Sequence, residues 1–236
     1  MKAQEEKRSV EYKLTWIIAV LTLSGLLGLA AMSLAAEGAW TKKSDMPTPR
    51  WGLSASMVNG KIYTIGGTPD GSLTGLSTVE EYDPMTDKWA KKADMPTPRW
   101  GLSASVVNGK IYAIGGTQGD HSSLSTVEEY NPATNTWTKK TDMLTPKVAF
   151  STGVVDGRIY AIGGTSDSDL VGLSGVEAYD PITNTWTKKA DMPTPRLFFS
   201  TSVVDRKIYA IGGAAIGGAS SVGLSTVEVY NLATDN

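Results

Sequence analysis

The chain has 236 residues, with 22 Lys and Arg, 24 Asp and Glu, one His and no Cys, for a formal net charge of −2. These counts exclude disulfides, thiolate metal sites and thiol nucleophiles, and a single His cannot build a multi-histidine copper or zinc centre. A slightly acidic chain also lacks the basic field that nucleic-acid binding needs, and sparse charge (19%) with 25 Gly favours a turn-rich β protein over a helical one.

Residues 1–13 are polar, with Lys2, Lys7, Arg8 and Lys13 set against Glu5, Glu6 and Glu11. Residues 14–36 then run 23 positions without a charge, rich in Leu, Ile and Ala. A weakly basic start, an apolar stretch and the small residues around Ser33, Ala35 and Ala36 read as an export signal. An uncleaved membrane anchor through residues 14–36 is the alternative, since about 20 apolar residues also span a bilayer. A core helix fits poorly, because it would be apolar on every face. Residues 1–36 are therefore assigned to a signal peptide or anchor. Residues 37–236 are assigned to an extracytoplasmic domain: periplasmic, secreted, or held on the outer side of a membrane.

From Trp40 onward one motif is written four times. Trp40, Trp89, Trp137 and Trp186 are spaced by 49, 48 and 49 residues. The pairs Gly66-Gly67, Gly115-Gly116, Gly163-Gly164 and Gly212-Gly213 keep nearly the same period, and so do Tyr82, Tyr130, Tyr179 and Tyr230. Segments 43–67 and 92–116 differ at only 3 of 25 positions. The units run over about 40–88, 89–136, 137–185 and 186–236, a period that suits a four-stranded sheet. In the second unit, strand a is Ser103–Val107. Asn108-Gly109 supplies a tight hairpin, and Lys110–Ile114 is strand b. Ser125–Tyr130 is strand c, residues 131–135 are a turn, and Thr136–Lys140 is strand d.

The diglycine after Ile-Tyr-x-Ile, then Val-Glu-x-Tyr, then Thr-(Asn/Asp)-x-Trp, resembles the kelch repeat over about 200 residues. The resemblance implies an all-β, kelch-type β-propeller, with blades of four antiparallel strands around a central channel. The repeated Trp and Tyr are then packing groups between blades. The lysine pairs of strand d (Lys42-Lys43, Lys91-Lys92, Lys139-Lys140, Lys188-Lys189) are charged edges that block sheet aggregation.

The chain opens on the strand d of Trp40, continues through three full units and ends on strands a, b and c. The next Trp would fall seven residues past Tyr230, beyond Asn236. Four blades closed by the N-terminal strand d is the simplest arrangement. Kelch propellers usually have five to seven blades, so the alternatives are a fragment of a larger propeller or a homo-oligomer in which two chains share one ring.

Strand order puts the b–c and d–a connections on one face. The b–c loops vary between units, and variable loops on a rigid scaffold commonly carry recognition. The d–a segments add Arg50, Trp51, Arg99, Trp100, Lys147, Arg196 and Phe198, and the second b–c loop adds His121. Arg and Trp are frequent binding hot spots, so these eight residues are the candidate binding set; structural contacts by the cations are the competing reading.

Catalytic patterns fare less well. The copper oxidases of the family use two His and a Tyr–Cys crosslink, which this chain cannot supply. Asp120-His121-Ser122 are neighbours, a poor geometry for a triad. The run from Asp167 begins like a calcium loop but has Val171 at its fifth position and Ala178 at its twelfth. No metal or cofactor is expected. The expected function is a non-catalytic binding or scaffold module for a protein or glycan. A carbohydrate-active enzyme of the sugar epimerase or lyase type is the alternative.

Overall fold

A computed structural model of the chain describes residues 38–71, 73–119, 122–166, 170–217 and 220–234. The expected signal or anchor segment, the Asp120-His121 pair and residues 167–169 lie outside the described residues. Residues 43–236 form one compact unit, and every strand among the described residues lies in it.

That unit is an all-β, four-bladed propeller arrangement. The first blade is β1 (Ser54–Val58), β2 (Lys61–Ile65), β3 (Val79–Asp83) and β4 (Lys88–Lys91). The second is β5 (Ser103–Val107), β6 (Lys110–Ile114), β7 (Val127–Asn131) and β8 (Thr136–Lys139). The third is β9 (Ser151–Val155), β10 (Arg158–Ile162), β11 (Val176–Asp180) and β12 (Thr185–Lys189). Each is an antiparallel meander in sequence order. Strands a and b pair across a two-residue turn with both φ positive, at 51° and 72° for Asn108 and Gly109, as a tight hairpin requires. The a strands run side by side along the axis, and the d strands form the outer edge.

The Tyr and Trp markers meet where strand c pairs with strand d. Tyr130 faces Trp137 across the ladder, with ring centroids 5.0 Å apart, and the other two complete pairs match. The Tyr130 hydroxyl donates to Asn135 in the c–d turn, and the Trp137 indole N–H donates to the Ala93 carbonyl of the preceding unit. The constant spacing of seven therefore ties each blade to its own turn and to the segment before it.

Blades stack by one repeated interface. Val58, Tyr63, Ile65 and Val79 of the first cover Ile111, Ala113 and Tyr130 of the second, with Met95 and Leu102 wedged between. Blades two and three, and three and four, repeat the pattern. The diglycine is required here. A Cβ on Gly115 would lie 2.6 Å from the Lys147 carbonyl and 2.8 Å from the Phe150 ring.

The fourth blade departs from expectation. Its sheet has three strands, β13 (Ser200–Val204), β14 (Lys207–Ile211) and β17 (Val227–Asn231). Its b–c loop, one of the loops that vary between units, forms a hairpin of β15 (Ala214–Gly217) and β16 (Ser220–Gly223). The expected closing strand around Trp40 is absent: residues 38–50 carry no strand, and Trp40 is fully exposed. The segment that follows Trp40 is tied to the first blade instead, where the Ser44 N–H donates to Asp87 and the Trp89 indole N–H donates to the Ser44 carbonyl.

Candidate functional site

The d–a segments enter each blade as Thr-Pro-(Arg/Lys), and the cation turns inward. Arg99 Nη2 lies 2.7 Å from Glu128 Oε2 and 3.2 Å from the Ala113 carbonyl, and Nη1 donates to the Thr126 carbonyl. Arg50 pairs with Glu80 at 2.8 Å and Arg196 with Glu228 at 3.0 Å. Lys147 reaches Glu177 only at 3.9 Å and donates to the Gly163 and Gly175 carbonyls. Each cation bridges the end of strand b to the start of strand c of its own blade. Burial draws the pKa of Arg99 down to about 10, with Glu128 opposing, and leaves it charged at neutral pH. Burial likewise lowers Arg50 and Lys147, opposed by Glu80 and Glu177.

This corrects the expected binding set. Arg50, Arg99, Lys147 and Arg196 have side chains at most 1% exposed, so they clasp strands inside blades and present no charge to a ligand. The physical reason is that a strand pair diverging at the diglycine leaves carbonyls facing inward, and a guanidinium satisfies several of them at once. His121 lies outside the described residues.

The aromatic members do converge. Immediately after each cation, Trp51, Trp100, Val148 and Leu197 bridge to Thr68, Thr117, Thr165 and Ala214 on the b–c side. The next residues, Gly52, Gly101, Ala149 and Phe198, all have positive φ, between 54° and 63°. Backbone bonds then run from blade to blade along the inner rim: Gly101 N–H to Gly52 O (2.8 Å), Ala149 N–H to Gly101 O (3.2 Å) and Phe198 N–H to Ala149 O (3.0 Å).

This rim borders a cavity of about 650 Å³. Trp51 and Trp100 form one wall, with ring centroids 5.4 Å apart at 54°. Val148, Phe198 and the loop residues Leu73 and Leu170 also line it, and among the described residues no charged side chain does. Leu73 and Leu170 hold positive φ (60° and 56°) in the first and third b–c loops. Trp51 and Phe198 are 50% and 63% exposed, and Trp100 is partly buried with its indole N–H unpartnered among the described residues.

The two leucines were missed by sequence reasoning, because single Leu residues in loops carry no periodic signal. Phe198 was legible as an aromatic in a d–a segment, but not as a bulky residue in left-handed backbone. Such a conformation is unfavourable for Phe, and strain of this kind concentrates at functional sites.

Comparison with known proteins agrees with this architecture. The family model described as KLHDC2/KLHL20/DRC7 Kelch-repeats domain matches residues 39–213, and the Kelch motif matches residues 195–236. Kelch-like ECH-associated protein 1B of Danio rerio is 38% identical over 52 residues, a match spanning 21% of this chain and 9% of that protein. The solved structure of YjhT superposes with a TM-score of 0.76 at 16% identity, covering 85% of this chain and 74% of the other, which is a likeness of fold. With a family model matched over most of its length and the blade structure that model implies, the chain belongs to the kelch-repeat family.

Proposed function

We propose that this kelch propeller, a fold that in general serves binding or scaffolding, is an extracytoplasmic, non-catalytic module that captures a protein ligand by seating its apolar or aromatic side chains in the rim cavity. The observation that carries the reading is the composition of that cavity. It is walled by Trp51, Trp100, Phe198 and loop leucines, with no charged side chain and with Thr117 as its only hydroxyl among the described residues. Concave, largely apolar pockets with few polar groups suit burial of apolar side chains. A glycan would need more hydrogen-bond partners than the described lining supplies. An epimerase or lyase would need an acid–base pair near the reacting carbon, which the described lining lacks. The uncharged run of residues 14–36 supports the location outside the cytoplasm.

The test pairs a displayed peptide library with a glycan array, both probed with the chain. Peptides rich in Trp, Phe and Leu should be selected, should shift the intrinsic tryptophan fluorescence, and should lose at least about tenfold in affinity with Trp51→Ala/Trp100→Ala. Binding confined to the glycan array, or peptide binding indifferent to the double variant, would overturn the reading.

A further inference from the structure

The interface that stacks the blades is left half-made at both ends of the arc. On the fourth blade, Val204 is 53% exposed and Ile211 43%, whereas Val58, Val107, Val155, Ile65, Ile114 and Ile162 at the same two places are at most 4% exposed. Val227 and Val229 of β17 are open as well. Val229 stands opposite Tyr209, in the register position that Glu81 and Glu129 occupy in the first two blades, so this face has lost a carboxylate and gained apolar surface. On the first blade, the complementary face leaves Ile62 36% exposed, against at most 1% for Ile111, Ile159 and Ile208. Met57 beside it is open.

Backbone groups at the two ends are unfilled in a matching way. Gly67, Gly116 and Gly164 N–H donate to the Arg99, Lys147 and Arg196 carbonyls of the following blade, at 2.8 to 3.0 Å. Among the described residues, Gly213 N–H has no such acceptor and the Arg50 carbonyl no such donor. The inner-rim chain of bonds likewise stops with the Phe198 carbonyl at one end and Gly52 N–H at the other. Around Gly66, Gly115 and Gly163, a Cβ would meet a Leu or Phe and a Met from the next unit; around Gly212 it would meet only the Leu224 carbonyl.

We propose that a second copy of this chain docks head to tail on these ends, the open face of β13, β14 and β17 against the open face of β1–β4. The second copy is the partner the surfaces specify, because its first blade offers the Ile, the rim N–H and the free carbonyl that each internal interface uses. The two faces are different surfaces of one chain, so the contact is heterologous, and two copies using both ends close a ring. Such a ring has eight blades, within the range of about four to eight seen for propellers. It would also complete the wall of the rim cavity on the side between Phe198 and Trp51.

The absence of native Cys permits a clean test by crosslinking. A Cβ built on Gly153 lies 3.4 Å from Val203 Cγ2 across an internal interface. The same two places across the proposed contact are Ser202 and Met57, both exposed in the single chain. Full-length Met57→Cys and Ser202→Cys chains, purified separately in mild detergent and mixed under oxidising conditions, should form a covalent pair of twice the chain mass. Neither alone should do so. Light scattering of the unmodified chain should give two copies, and Val229→Asp should weaken association at least about tenfold. Two results would overturn the proposal. One is a crosslink formed only inside single chains of the double variant Met57→Cys/Ser202→Cys, which means the four blades close on themselves. The other is no crosslink in any combination with a monomeric chain, which assigns the faces to another partner.

Discussion

Phe198 is the residue where local conformation and the proposed function diverge. Its φ of 54° falls where Gly52 and Gly101 sit in the first two blades, and its ring stands in the cavity. Left-handed backbone costs an L-residue about 1–2 kcal/mol, while Gly in its place costs about 0.5–1 kcal/mol in chain entropy. Phe198→Gly should therefore leave the urea midpoint nearly unchanged and weaken ligand binding by roughly tenfold or more in a fluorescence titration. The buried cations behave in the opposite way. Arg99→Met leaves Glu128 buried without its partner and should cost about 3–5 kcal/mol in urea unfolding, while Arg99→Met/Glu128→Leu should recover much of that loss. The sequence pattern Pro-(Arg/Lys) was visible, but its role was not, because an Arg beside a Trp looks the same whether it points into a channel or into a blade. Only the position of Glu80, Glu128, Glu177 and Glu228 on strand c decides it.

At the scale of elements, the a–b hairpins show how closely the chain's local chemistry tracks its structure. The strands of the second unit read from the sequence differ from those observed by at most two residues at any end, because alternating β-branched residues and Asn-Gly each specify one geometry. The fourth hairpin breaks the rule: Asp205-Arg206 replaces Asn-Gly, and Arg206 holds a φ of 59°. Arg206→Gly exchanges that strain for the smaller chain-entropy cost of Gly and should stabilise the fold by about 0.5 kcal/mol, a rise in melting temperature of roughly 1–2 °C by calorimetry. The exposed ion pair with Asp156 that it removes offsets little of that gain. The β15–β16 hairpin was not legible, since a loop of Gly, Ala and Ser pairs only where the flanking strands bring its two arms together.

Across the whole molecule, one class of charge is distributed blade by blade. Burial acts to raise the Glu129 carboxyl, but hydrogen bonds from Lys110, Lys140 and Tyr112 together outweigh it and hold the pKa below the ordinary value. Glu81 is held down in the same way, burial opposed by Tyr63, Lys61 and Lys92. A carboxyl depressed in the folded state contributes stability above its ordinary pKa of about 4.5 and loses it as pH falls through the folded value. The urea midpoint should therefore hold from pH 7 to about 5 and drop below that, and Glu81→Gln/Glu129→Gln should be less stable at pH 7 and shallower in its acid loss. The third blade has Ala178 and the fourth Val229 at the corresponding register position, so the two ends of the arc respond differently to acid.

What the sequence determined by itself was the repeat: four units, their strands, their turns and the family. Each of those depends on residues close in the chain, where spacing and propensity carry the information. Tertiary structure alone decided which candidates meet at the cavity, that the cations turn inward, and that the fourth blade ends on an open face. Those outcomes depend on which surface stacks on which. A motif repeated four times gives every blade the same two faces and leaves their pairing at the ends to three-dimensional packing.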